Sequence, residues 1–236
     1  MHAILEFLRG AAVFVAFLAA RFALLLIVLA ALTVVFLAGL AVVRAVGRVR
    51  RGAMGLTRVG GLLWRPGVFY APGHAWLQAT GAGRLRVGLD DLAQHVLSRI
   101  TSVSLPRVGQ SFQAGETIAV IRAGRRQALL PSPVSGRVVA VNRGAERNPA
   151  RLHRDPYARG WLYALQPEDD SYRQMASGDR ARQWFSSEAS RFSHFIEDQL
   201  GLAAADGGEL VAPGPSLLTD EQWHDLVETF LEGRDR

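Results

Sequence analysis

The chain has 236 residues, 49% of them hydrophobic, with 27 basic and 21 acidic side chains for a net charge of +6, and this length leaves room for one ordinary domain with appendages. All 27 basic residues are arginine, which excludes Schiff-base chemistry and any group carried on a lysine amine, because a guanidinium stays protonated and does not acylate. Cysteine is absent, excluding disulfides, thiolate metal sites and iron–sulfur clusters; no helix-turn-helix, zinc or RNA-binding pattern accompanies the positive charge, so no nucleic-acid partner is expected.

The apolar residues are concentrated at the start. Phe22 to Val43 reads FALLLIVLAALTVVFLAGLAVV without a charge, and as a helix of about 33 Å it would cross a hydrocarbon core of about 30 Å. That length favours a transmembrane anchor over a cleavable signal peptide, whose apolar region runs to about 7–15 residues. Arg44, Arg48, Arg50, Arg51 and Arg58 follow the segment, whereas Arg9, Arg21 and Glu6 precede it. This asymmetry predicts a single-pass protein of the inner or cytoplasmic membrane whose C-terminal bulk is cytoplasmic. Residues 4–20 are also apolar and read as an interfacial helix or an extension of a tilted span; no turn residues favour a helical hairpin. Residues 1–51 are therefore expected to be the anchor, and the glycine-rich, basic stretch 52–68 a juxtamembrane linker.

Residues 69–169 alternate short β-type runs with turn signals. Trp76 to Ala79 and Leu85 to Val87 flank Gly81-Ala82-Gly83 as a hairpin. Further strands are predicted at Thr101 to Leu105, Thr117 to Arg122, Ala128 to Leu130, Gly136 to Asn142 and Trp161 to Leu165. One helix interrupts them, opening near Gly88, Asp90 or Asp91 and carrying Leu92, Val96 and Ile100 at helical spacing. Several short strands with one early helix predict a small β-sandwich or flattened barrel.

Gly73-His74-Ala75-Trp76, Val87-Gly88-Leu89-Asp90 with Ala93-Gln94, and Ser104-Leu105-Pro106-Arg107-Val108-Gly109 appear in this order, followed by Ala114-Gly115-Glu116 and Pro133-Val134-Ser135-Gly136. Val141-Asn142, Asn148-Pro149, Asp155-Pro156-Tyr157 and Gly160-Trp161-Leu162 complete the series. The series resembles the glycine cleavage system H protein over nearly that family's whole fold. The resemblance implies a mainly β, lipoyl-type sandwich, here with an N-terminal transmembrane helix and C-terminal amphipathic helices. In that family the lipoyl lysine sits on a hairpin turn held in register by the Pro-Val-Ser-Gly that follows. Counting back from Pro133 without gaps places Arg125 at the lysine's position, inside Arg122-Ala123-Gly124-Arg125-Arg126. No covalent cofactor is therefore expected, nor glycine decarboxylation on this chain. The cluster Arg122, Arg125 and Arg126 reads either as a solvated turn or as a tip that pairs with carboxylates on a protein partner.

The six histidines are scattered without metal-ligand spacing, so no metal is expected. His74 is read as a structural residue beside Trp76. Neither a catalytic constellation nor a small-molecule site emerges, and an enzyme is not expected.

Residues 170–236 read as a helical extension. Trp184, Phe185, Glu188, Ala189, Phe192, Phe195, Ile196 and Leu200 form a mostly aromatic stripe on one helical face behind a cap at Ser177 or Asp179, with Gly201 as its stop. After a linker over Asp206 to Pro215, Thr219-Asp220-Glu221-Gln222 is a capping box ahead of Trp223, Leu226, Val227, Phe230 and Leu231. These faces either pack back on the sandwich or are held out as docking helices, with Trp184, Phe192, Trp223 and Phe230 as anchors. The combination predicts a membrane-anchored, non-lipoylated scaffold or interaction subunit. Two alternatives are a regulatory or decoy partner of the glycine-cleavage and lipoate enzymes, and a transport adaptor of the membrane-fusion type.

Overall fold

A computed structural model describes residues 2–53, 55–201 and 214–232. The chain divides into two compact units, Met1–Met54 and Gly55–Arg236. The first is a single helix, α1 (His2–Ala53), unbroken through Arg21, so residues 4–20 extend the apolar segment and do not fold back on it. Its stretch Arg21–Val46, with a mean hydropathy of 3.0, is long and apolar enough to cross a membrane.

The second unit starts with a hairpin of β1 (Thr57–Val59) and β2 (Leu62–Trp64). Gly60 and Gly61 turn it with φ of 55° and 81°, the two positive values that a tight two-residue loop demands. The expected linker over 52–68 is thereby corrected: from Thr57 onward the chain is folded into the domain. Leu62 and Trp64 are buried, and the Leu63 N–H donates to Asp91 Oδ2 at 2.8 Å while its carbonyl accepts from the Tyr157 hydroxyl at 2.8 Å. The glycines that suggested a tether supply the turn instead.

Next come β3 (Phe69–Tyr70), β4 (Ala75–Thr80), β5 (Arg84–Leu89), α2 (Asp91–Leu97), β6 (Ser102–Ser104), β7 (Ser111–Phe112), β8 (Thr117–Ala123), β9 (Arg126–Pro131), β10 (Gly136–Val141), α3 (Arg143–Arg147), α4 (Ala150–Arg154) and β11 (Trp161–Pro167). They make two open antiparallel sheets, ordered β3-β4-β5-β11-β10-β7 and β6-β8-β9. The core takes alternate residues from these strands, among them Leu77, Leu85, Val87, Ile121, Ala128, Val138 and Leu165. Register is held tightly where Trp76 faces Gly88. A Cβ at position 88 would lie 2.5 Å from Trp76 Cζ2, so glycine alone lets the indole lie over β5 and donate its Nε1–H to the Leu89 carbonyl at 3.0 Å.

The extension holds α5 (Gly178–Leu200), α6 (Gly214–Leu217) and α7 (Asp220–Phe230). Ser177 is the N-cap of α5 and Gly201 ends it with φ of 63°. The capping box at α7 is complete, with Gln222 N–H donating to Thr219 Oγ1 at 3.2 Å and Thr219 N–H to Gln222 Oε1 at 2.9 Å. Of the linker expected over Asp206 to Pro215, residues 206–213 lie outside the described residues. The two amphipathic faces pack back on the domain: Phe185, Phe192, Trp223, Leu226 and Phe230 are all buried.

Candidate functional site

The hairpin of β8 and β9 closes with Ala123 opposite Arg126, leaving Gly124 and Arg125 as a two-residue turn. Gly124 has φ of 68° while Arg125 does not enter the positive region, the combination that places glycine first in such turns. Thr101 braces the tip: its N–H and hydroxyl donate to the Arg122 carbonyl at 2.8 and 3.1 Å, and its Oγ1 accepts from Gly124 N–H at 3.2 Å. Arg122 and Arg125 point their charge into solvent.

Arg126 does something else. Its Nη2 donates to the Leu218 carbonyl at 2.6 Å, its Nη1 to the Pro215 carbonyl at 3.4 Å, and its Nε pairs with Asp220 Oδ1 at 2.8 Å. The guanidinium also lies 5.6 Å from the centre of the Trp223 ring. Asp220 is 87% exposed, so its ion pair contributes little; the two carbonyl bonds and the buried indole supply most of the grip. The hairpin is therefore clamped right beside its turn by α6, α7 and the segment between them. A cleft of about 280 Å³ remains beside the clamp, walled by Leu97, Ala123, Pro215 and Trp223 with Arg99 and Arg126 at its edge.

The three arginines that sequence grouped as one tip thus divide into two solvent-facing cations and one internal fastener. Of the four aromatic anchors, Phe192, Trp223 and Phe230 are buried and Trp184 is half-buried. Trp184 stacks on His74, with ring centres 5.0 Å apart, and Phe192 meets Phe230 edge-on at 5.7 Å. Trp223 is only 3% exposed and Phe230 is fully buried. The docking-helix alternative is corrected on this point: each face already has its partner within the chain.

Sequence reasoning missed a buried charged chain at the same junction. His74 is fully buried, with φ of 55°, and its Nδ1 lies 2.8 Å from Asp90 Oδ2 while its Nε2 lies 3.4 Å from Glu188 Oε2. Glu188 Oε1 pairs in turn with Arg191 Nη1 at 3.2 Å. Asp90 serves twice, because its Oδ1 accepts from Ala93 N–H at 2.9 Å as the N-cap of α2. The His74 ring packs against Trp184 and Phe230. Among the described residues, no three His, Asp or Glu side chains come together as metal ligands.

Burial alone would lower the His74 pKa, but the Asp90 carboxylate and then Glu188 outweigh it and raise it from 6.5 to about 9. A histidine whose pKa is higher folded than unfolded contributes stability that is complete below about pH 6.5 and lost as pH rises through about 9. The melting temperature of the second unit is expected to fall across that window, and a His74→Asn variant, already less stable, should show a flatter profile. Calorimetric scans at a series of pH values check both.

Comparison with known proteins decides the family. The profile of the glycine cleavage H-protein family matches residues 68–188. This chain belongs to that family. The H protein of Mycolicibacterium vanbaalenii is 41% identical over 102 residues, which cover 43% of this chain and 78% of that protein. The H protein of Coxiella burnetii is 34% identical over 103 residues, or 44% of this chain and 79% of the other. A crystal structure of the Mycobacterium marinum H protein is 35% identical, covering 44% of this chain and 87% of that chain with a TM-score of 0.42. The H-protein fold carries lipoate on a lysine by the family resemblance, and the turn here does not fit that group: it presents the exposed guanidinium of Arg125 where acylation needs an amine. Helix α1 and most of α5 to α7 lie outside the matched span.

Proposed function

We propose that this H-protein family member is a membrane-anchored, non-lipoylated scaffold or interaction subunit of a membrane-associated complex, with residues 69–169 as the H-protein-like domain on the cytoplasmic side. The observation that carries the reading is the hairpin: in a chain without lysine its turn holds Arg125, the residue that the count back from Pro133 aligns with the carrier lysine, and Arg126 beside it is fastened to the C-terminal helices. A carrier hairpin must reach into other proteins, whereas a hairpin clamped beside its turn suits a fixed surface. Helix α1 supports anchoring by its length and apolarity, and the arginines from Arg44 to Arg51 support a cytoplasmic domain. Helices α5, α6 and α7 then act as a built-in brace on the scaffold.

Family membership also favours a regulatory role, in which the domain competes for the enzymes that bind true H protein and Arg122 and Arg125 meet carboxylates there. One experiment separates the readings. Tagged full-length protein is purified from its native membranes in mild detergent, and the intact mass and copurifying proteins are determined. The expected result is an unmodified mass with components of a membrane complex. A lipoyl or octanoyl adduct would sink the proposal, and recovery of glycine-cleavage or lipoate enzymes would move the assignment to the regulatory role.

A further inference from the structure

We propose that the arginine-covered face of α3 and α4 binds the phosphate headgroups of anionic lipids; this rests on the membrane-anchored reading above. Arg143, Arg147, Arg151, Arg154 and Arg159 are all exposed. Three of them meet where α3 joins α4: Arg147 Nε donates to the Arg143 carbonyl at 3.3 Å, and the Arg151 guanidinium lies against Gly144, where a Cβ would collide with it; Arg154 follows Arg151 one turn along α4. The acids nearby offset only part of this charge, two carboxylates against five arginines. Glu146 is committed to Arg143 Nη1 at 2.7 Å and to Leu105 N–H at 3.4 Å, and Asp155 is half-buried. Cations crowded within a turn or two of one another repel, and an external polyanion relieves that repulsion.

A second observation selects the kind of polyanion. In the loop after Leu105, itself tied to α3 through Glu146, Val108 is 58% exposed between Arg107 and Gly109. An aliphatic side chain beside a guanidinium suits the boundary between headgroups and acyl chains. Nucleic acid is the poorer fit, since α3 and α4 have five residues each and a helix of about 7.5 Å does not fill a major groove. The chain also supplies its own proximity to lipid, because β1 begins at Thr57 and α1 ends at Ala53. Each arginine near an anionic bilayer is worth about fivefold in association.

The test uses the full chain in lipid nanodiscs of phosphatidylcholine, with and without phosphatidylglycerol, and reads amide hydrogen exchange over residues 106–109 and 143–159. Exchange is expected to slow by about threefold or more with phosphatidylglycerol, to recover at high salt, and to lose the effect in Arg147→Glu/Arg151→Glu/Arg154→Glu. These side chains are exposed, and an unchanged melting temperature confirms that the variant is folded; Arg154→Glu alone gives a smaller loss in the same direction. Equal exchange in both lipids, with the protein embedded, overturns the face and leaves the anchor standing. Failure of the protein to enter the discs overturns the anchor and this proposal with it. Slowing by duplex DNA but not by phosphatidylglycerol assigns the face to nucleic acid and overturns the lipid reading.

Discussion

Asp90→Ala is expected to destabilise the second unit by about 3–5 kcal/mol, the usual cost of removing one partner from a buried ion pair. The carboxylate satisfies His74 Nδ1 and the first turn of α2 at once, so its loss leaves a buried imidazole and an uncapped helix. For a unit of this size the melting temperature should drop by roughly 10 °C. Asp90→Asn keeps an acceptor for the cap and removes only the charge, and it should fall between the two. If Asp90→Ala melts within a degree or two of the wild type, the buried chain from Asp90 to Arg191 is not a structural unit. Circular dichroism melts at pH 7 decide the matter, and Glu188→Gln provides the same test from the α5 side, where Arg191 can still reach solvent.

Trp223→Ala is the other large effect, about 3–5 kcal/mol for a buried indole. The ring is the floor under the Arg126 guanidinium and part of the seam between α7 and the hairpin. Its removal should release α6 and α7 before the sheets unfold, so hydrogen exchange in residues 214–232 would rise by orders of magnitude while β4, β5 and β11 change little. Trp223→Phe keeps a face for the cation and should retain most of the protection. A uniform loss of protection across both sheets would instead mean that the clamp and the core are one cooperative unit.

The elements legible in the sequence were those whose residues carry their own signal. All seven predicted strands form, because alternating Val, Leu and Ile between glycine turns specify a half-buried strand locally. The capping box at Thr219 and the Gly201 stop are equally local, and both stand as expected. What was not legible depends on distant partners. The β1–β2 hairpin is short, and its burial arises from Asp91 and Tyr157, 28 and 94 residues away from Leu63. β3 and β7 have two residues each, too few for any period to show. At the site, the turn position of Arg125 was readable from the Pro-Val-Ser-Gly register, but the separate fate of Arg126 was not, since its partners lie about ninety residues downstream. The buried pairing of His74 with Glu188 spans 114 residues and could not be inferred from either neighbourhood.

The β1–β2 hairpin has a practical consequence for anyone dissecting the molecule. Cutting at Phe69, where the strand pattern begins, would delete Leu62 and Trp64 from the core and take away the donor to Asp91 and the acceptor for Tyr157. The fragment would carry an apolar scar on α2 and precipitate, and the failure could be mistaken for dependence on the membrane. A cut at Gly55, where the second compact unit begins, keeps the hairpin and gives the protein its fair trial in plain buffer.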